Sequence, residues 1–241
     1  MLSNTGIILI ILTLFLSFLI IYISVVNIKE KNNIIDKKIY HYTFYQMIFS
    51  ILSFLTLLAG FINSDFSLIN VFENSHSDKP LFYKIAGTWG SHEGSLLLWI
   101  NIIVVFSFLF LIYNKKSNKI FRLYTLIFQN FLILGFLIFL LFNSNPFSKI
   151  YPIPLEGLGL NPILQDPALV IHPPLLYVGF VGSSIYFSAA MASLVSNYKG
   201  KEFALSIKPW ILISWCFQTL GIIAGSIWAY YELGWGGFWF W

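Results

Sequence analysis

A histidine followed by two prolines is the group in this chain best suited to binding a metal. His172 precedes Pro173 and Pro174, and a long apolar run follows them. Because proline favours the first turn of a helix and extends the residue before it, we expect His172 to lie just outside a helix that starts at the prolines. A neutral imidazole held there can ligate an iron atom. The alternative is a helix N-cap or a polar ring at a membrane interface.

A second candidate is an aromatic block at residues 228–241, in which glycines separate large rings. Trp235, Trp239 and Trp241 provide flat apolar surfaces with a polar N–H, and Gly236 lets a ligand approach the backbone closely. The block follows an apolar run, so we expect it to lie where membrane meets water. The pattern indicates a planar, amphipathic ligand held at a membrane surface.

A glycine-rich turn ahead of the third apolar run contains two further candidates, Trp89 and His92. Both side chains could line the same cavity as the aromatic block. The alternative is a purely structural turn, in which Ser91 or Ser95 caps the helix and Glu93 lies at its positive end. The sequence leaves both interpretations open.

The composition identifies an integral membrane protein. Hydrophobic residues make up 58% of the 241 residues and charged residues 10%, whereas a soluble domain carries roughly a quarter charged residues. The net charge of +4 therefore indicates no nucleic-acid partner. The single cysteine, Cys216, excludes an intrachain disulfide and a thiolate metal cage.

Six apolar runs are long enough to cross a membrane, which takes about 20 helical residues. We therefore predict one all-α transmembrane domain over residues 1–241, a polytopic bundle of six helices. Of the 14 basic residues, 11 fall in the first, third and fifth connections. Basic loops stay inside, so both termini and the loops 63–94 and 143–173 are expected on the outer side. The runs are approximately 6–26, 42–62, 95–113, 122–142, 174–195 and 210–230.

The centres of the six runs contain neither a charged residue nor a histidine. Proton pumps and ion-coupled transporters usually need such groups within the membrane. The sequence therefore argues against these classes and places any chemistry on the outer face.

Three stretches carry a family resemblance. Residues 87–99 contain Gly-Thr-Trp-Gly-Ser-His-Glu-Gly-Ser, residues 161–177 contain Gln-Asp-Pro-Ala-Leu-Val-Ile-His-Pro-Pro, and residues 235–241 read Trp-Gly-Gly-Phe-Trp-Phe-Trp. In this order and on one side of the membrane, they resemble signatures of the CcmF family of cytochrome c-type biogenesis proteins.

The resemblance implies a haem-handling membrane protein. Such proteins receive haem b from a haem chaperone and, with a thiol-reducing assembly partner, help attach it to apocytochrome c. His172 matches the first of two external histidines that ligate this haem, and residues 231–241 match the start of the tryptophan-rich haem-binding motif. Trp89 and His92 match a family motif, in which the role of His92 is unassigned.

Several family features are missing from this sequence. The Asp that continues the tryptophan motif, the second external histidine and a membrane-embedded histidine pair do not occur. We therefore expect a fragment or a split gene whose second polypeptide completes the site, as in some mitochondria. The expected location is the mitochondrial inner membrane, with the bacterial inner membrane as the alternative.

Three functions remain in competition. The first is a subunit of a cytochrome c haem lyase, whose site in this chain alone would be incomplete. The second is a haem transporter or exporter without ligation activity, although the related exporter carries its tryptophan motif in mid-chain. The third is a structural subunit of a respiratory complex, with the aromatic residues as an interfacial belt.

Overall fold

The computed structural model describes residues 2–30, 34–162, 165–232 and 234. Within this part of the chain there are eight helices and a single isolated β-bridge, between Leu68 and Lys149. Six of the helices are long and apolar enough to cross a membrane, which confirms the predicted all-α, six-span architecture. The helices are α1 (Leu2–Glu30), α2 (Ile34–Ile62), α3 (Ile69–Asn74), α4 (Leu81–Gly90), α5 (His92–Tyr113), α6 (Lys119–Asn143), α7 (Pro167–Ser196) and α8 (Lys201–Glu232).

The helices α5 and α6 form the centre of the bundle and are the most buried of the six. The helix α1 packs on α2 and α6, while α7 packs on α5, α6 and α8. The helix α8 lies at the edge, with α7 as its main neighbour, and is the least buried. The helix α8 is therefore attached to the rest of the bundle chiefly through α7.

Side-chain amides connect the central helices inside the apolar core. Gln46 on α2 donates to Ser17 on α1 at 2.6 Å and to Asn130 on α6 at 2.8 Å. Gln129 on α6 donates to Ser184 on α7 at 2.9 Å and accepts from Ser188 at 2.7 Å. Interhelical hydrogen bonds of this kind contribute on average about 0.6 kcal/mol each in a membrane protein. Together they fix the register of α1, α2, α6 and α7.

The two long connections pack on each other at one end of the bundle and form what we call the loop layer, residues 63–90 and 144–162. Ile69 N donates to Ser148 O at 2.9 Å, and Ile150 N donates to Ser67 O at 3.1 Å. The start of α1 joins them, because Ser3 Oγ donates to the carbonyl of Phe147 at 2.7 Å.

The loop layer, the start of α1, the start of α7 and the end of α8 thus share one end of the bundle, which we call the outer end. The basic connections lie at the opposite, inner end.

Candidate functional site

His172 lies in the second turn of α7, so the prediction that it precedes the helix is wrong. The helix begins at Pro167, and the side chain of Asp166 caps it by accepting from Ala168 N at 2.7 Å. This Asp-Pro pair is a stronger start signal than the two later prolines, since it combines an N-cap acceptor with proline at the first helical position.

Pro173 and Pro174 lie inside the helix, and each removes one backbone hydrogen bond. The carbonyl oxygens of residues 169 and 170 therefore accept no helical hydrogen bond, because the residues four positions later are prolines without an N–H. The cost is tolerable because both carbonyls lie in the first turn of α7, at the outer end of the bundle, rather than in the middle of a span.

The imidazole of His172 is oriented by the backbone of α8. Its Nδ1 lies 2.7 Å from the carbonyl oxygen of Gly221. A carbonyl oxygen can only accept, so Nδ1 carries the hydrogen and the neutral ring keeps its lone pair on Nε2. No residue in the described part of the chain bonds to Nε2. A histidine with its second nitrogen fixed in this way is the usual form of an imidazole ligand.

A glycine and a tryptophan of α8 complete the surroundings of His172. A β-carbon added to Gly225 would overlap Cε1 of the imidazole and would lie 2.8 Å from Nδ1. The ring of Trp228 is stacked nearly parallel to the imidazole, with centroids 6.4 Å apart and planes 14° from parallel. The indole nitrogen of Trp228 is buried and has no hydrogen-bond partner among the described residues. It is an available donor beside the imidazole.

Close packing of α7 on α8 makes this arrangement possible. A β-carbon on Gly179 would overlap the backbone of Gln218, and one on Gly221 would lie 2.7 Å from the backbone nitrogen of Leu176. Small residues let two membrane helices approach to backbone contact. The carbonyl of Gly221 can reach the imidazole only because the helices are this close.

We expect Gly225→Ala to weaken ligand binding at His172 without unfolding the bundle. The added methyl group would push the imidazole away and stretch its bond to Gly221, so we expect a loss of about threefold to tenfold in binding, from a hydrogen bond worth about 1 kcal/mol. Haem titration followed by absorbance would measure the change.

Gly135→Ala is the matched control, because a β-carbon there meets nothing within 4 Å. Equal binding by the Gly225→Ala and Gly135→Ala variants would contradict the role given to the glycine.

Trp89 lies in the loop layer, and His92 is the first residue of α5, next to that layer. Ser91 caps α5 by accepting from Gly94 N at 3.1 Å, which confirms one of the two predicted caps, and Glu93 lies in the first turn. The imidazole of His92 is exposed and its Nε2 lies 3.2 Å from Ser144 Oγ, while Trp89 is half-buried near the end of α4. These contacts support the structural interpretation of the turn.

The other predicted site residues lie outside the described part of the chain. They are Trp235, Gly236, Trp239 and Trp241.

The carboxylate of Glu156 links the two connections of the loop layer. Ser77 donates its backbone N–H to Glu156 at 2.8 Å and also its hydroxyl, and His76 lies 3.9 Å from the same carboxylate. These hydrogen bonds lower the pKa of Glu156. Partial burial lowers the pKa of Lys79, in the same layer, to about 8.

The described residues contain no group of three or more histidine, cysteine, aspartate or glutamate side chains that could hold a metal ion. A lone imidazole such as that of His172 could bind a metal whose other ligands come with it, as in a haem. Nε2 of His172 could supply one axial ligand, and the ring of Trp228 provides an aromatic surface beside it.

Sequence reasoning missed Gly221 and Gly225. A signal was present, because the two glycines are spaced Gly-x-x-x-Gly within an apolar run. This spacing is typical of close helix–helix contact in membranes.

The fold and site define a polytopic α-helical membrane protein in which the imidazole of His172 lies beside the ring of Trp228 at the outer end. The model of the family described as Cytochrome C assembly protein matches residues 89–241. The chain belongs to this family and matches an N-terminal part of CcmF-like proteins.

Several bacterial proteins are similar in sequence to this chain. The cytochrome c-type biogenesis protein CycK of Bradyrhizobium diazoefficiens is 50% identical over 196 residues, 81% of this chain and 30% of that protein. CcmF of Escherichia coli is 47% identical over 190 residues, 78% of this chain and 29% of that protein. NrfE of Haemophilus influenzae is 39% identical over 241 residues, 100% of this chain and 38% of that protein. The chain thus spans about a third of the length of these relatives.

A solved structure described as cytochrome c haem lyase CcmF has the same fold. It superposes with a TM-score of 0.85 and 24% sequence identity, over 99% of this chain and 38% of that one.

Proposed function

We propose that this chain is the N-terminal part of a cytochrome c haem lyase. It would hold haem b, as substrate, at its outer end for covalent attachment to apocytochrome c. The observation that carries the proposal is the hydrogen bond from His172 Nδ1 to the carbonyl of Gly221, which directs the lone pair to Nε2. Family membership and the names of the relatives support the choice of haem over other ligands.

The residues around His172 fit a haem in two respects. Nε2 is a neutral nitrogen donor, and the buried indole N–H of Trp228 has no acceptor among the described residues. A haem would supply an iron for the first and carboxylate oxygens for the second. A second axial ligand would come from outside the described residues.

Within this proposal the chain orients its substrate and supplies no covalent chemistry. A bound haem contributes two vinyl groups, which accept the two thiols of the apocytochrome. His172 would hold the iron of this haem, and the α7–α8 contact fixes the position of His172. Orientation of this kind converts an encounter between two molecules into a reaction at fixed distance.

The proposed partners follow from this role. A haem chaperone delivers the substrate, and a thiol-reducing partner presents apocytochrome c in the dithiol form. A second polypeptide, or the remainder of a longer chain, supplies the two thirds of the relatives' length that this sequence does not cover. The bacterial origin of the named relatives favours the bacterial inner membrane over the mitochondrial one suggested by a split gene.

The first test is a reduced-minus-oxidised absorption spectrum of the chain, purified with its partners from native membranes. We expect a b-type spectrum whose haem is fully extractable with acidified acetone, since this haem is held without covalent bonds. Co-purification of apocytochrome c, lost when its two cysteines are replaced by serine, would support the lyase assignment.

Two results would contradict the proposal. A haem spectrum without any thiol-dependent capture of apocytochrome would indicate the transporter. Purified partners without haem would indicate the structural subunit.

A further inference from the structure

Two glutamines inside the bundle differ in how completely their side-chain amides are bonded. Gln129 on α6 uses both ends of its amide, since the nitrogen donates to Ser184 and the oxygen accepts from Ser188. Gln46 on α2 uses only the nitrogen, and its Oε1 has no hydrogen-bond partner among the described residues. Both glutamines are fully buried. Leaving a buried amide oxygen without a donor is costly, and in native proteins such an atom commonly bonds an ordered water.

The orientation of the Gln46 amide is fixed by its two partners. Its Nε2 donates to Ser17 Oγ and to Asn130 Oδ1, which uses both amide hydrogens. Ser17 Oγ gives its own hydrogen to the carbonyl of Thr13 at 3.0 Å, and an amide oxygen such as Asn130 Oδ1 can only accept. Exchanging the nitrogen and oxygen of Gln46 would therefore set acceptors against acceptors. Oε1 is the end that still needs a donor.

A second unpartnered atom lies one turn away on the same face of α2. Ser50 is 2% exposed, and its hydroxyl has no hydrogen-bond partner within the part of the chain that the structure describes. The hydroxyl of Thr43, on the same helix, donates to the carbonyl four residues earlier, at 2.8 Å, whereas that of Ser50 does not. Residues four apart share one side of a helix, so Ser50 and Gln46 both face α1.

The helix α1 provides a third polar group at this level. Because α1 and α2 are antiparallel and Gln46 contacts Ser17, one turn toward the outer end brings Thr13 opposite Ser50. Thr13 is 1% exposed, and its hydroxyl donates to the carbonyl of Leu9 at 2.8 Å. The hydroxyl oxygen can still accept a hydrogen bond. One acceptor on α1, one acceptor on α2 and one donor on α2 thus lie close together.

We propose that Thr13, Gln46 and Ser50 bind one ordered water molecule within the membrane-spanning part of the bundle. The water would donate to Gln46 Oε1 and to Thr13 Oγ1, and it would accept the hydrogen of Ser50. Buried waters make about three hydrogen bonds to groups of this kind. Gln46 lies about 14 Å along α2 from Lys37 and about 24 Å from Ile62, so the site is well inside the span. The proposal is independent of the haem site.

Solid-state NMR of the full chain in lipid bilayers tests it, through the transfer of magnetisation from water to side-chain amides. We expect the amide signals of Gln46 to receive magnetisation at short mixing times and those of Gln129 not to, because only Gln46 would contact a water. The two glutamines are compared within the parent chain, so the result does not depend on the folding of a variant. Absence of transfer to Gln46, or equal transfer to both glutamines, would overturn the proposal.

Ser50→Ala removes one of the three partners of the water and should weaken the transfer to Gln46 about fivefold, the factor that corresponds to one neutral hydrogen bond. Ser53→Ala is the matched control, because Ser53 lies about one turn further along the same face of α2 and bonds instead to the carbonyl of Gly6. It should leave the transfer to Gln46 unchanged. Equal transfer in the two variants would rule out the proposed water site.

Discussion

Replacing His172 with alanine is expected to reduce the haem content of the purified assembly to less than about a tenth of that of the parent chain. The substitution removes the one nitrogen donor that the described site offers and leaves the carbonyl of Gly221 without its partner. A loss of about 1.4 kcal/mol already corresponds to a tenfold change in binding, and an iron–imidazole bond together with a hydrogen bond exceeds this amount. The haem-to-protein ratio, measured by pyridine haemochrome assay, gives the result.

His92→Ala is the control for this experiment. That imidazole lies at the same end of the bundle but contacts Ser144, so its removal should leave the haem content nearly unchanged. Near-normal haem in the His172→Ala variant would rule out the axial ligand, whereas a comparable loss in both variants would point to a site that includes the loop layer.

The second large effect is expected from Gly179→Leu, which should separate α7 from α8. Its side chain would have to enter space that the backbone of Gln218 occupies, and a backbone cannot move aside as a flexible side chain can. Overpacking usually costs about 1–3 kcal/mol, and we expect the upper end of this range. Unfolding followed by tryptophan fluorescence should then occur about 10 °C lower.

Gly135→Leu introduces the same side chain at a position where a β-carbon meets no other atom within 4 Å. Its unfolding temperature should differ little from that of the parent chain. If the Gly179→Leu variant were equally stable, the described contact between α7 and α8 would be wrong, and with it the positioning of His172.

The six membrane helices could be predicted from the sequence because each needs about 20 apolar residues, a requirement that composition alone reveals. The lengths of these helices could not be predicted, because the polar residues at their ends are also helical. The polar contacts of Gln46 and Gln129 were also not predictable. An amide in an apolar run has no sequence signal that identifies its partner on another helix.

The candidate site was only partly predictable. The His-Pro-Pro run beside an apolar run predicts an imidazole at the end of a membrane helix, and His172 lies near the start of α7. The predicted helix start was wrong, because the N-cap of Asp166 and the N1 proline Pro167 begin the helix before the two prolines that follow His172. The partner of the imidazole, a backbone carbonyl 49 residues away, depends on helix packing and has no residue type to reveal it.

The pairing of α7 with α8 has a consequence for the order in which the molecule is built. His172, Gly221, Gly225 and Trp228 all belong to one hairpin of two consecutive helices, so its contacts require no other part of the chain. The contact between Ser3 and Phe147 instead joins residues 144 positions apart. Because contacts between neighbouring elements form faster than distant ones, the imidazole can be positioned as soon as the hairpin enters the membrane. Assembly of the α7–α8 hairpin around His172 is then kinetically separate from closure of the loop layer.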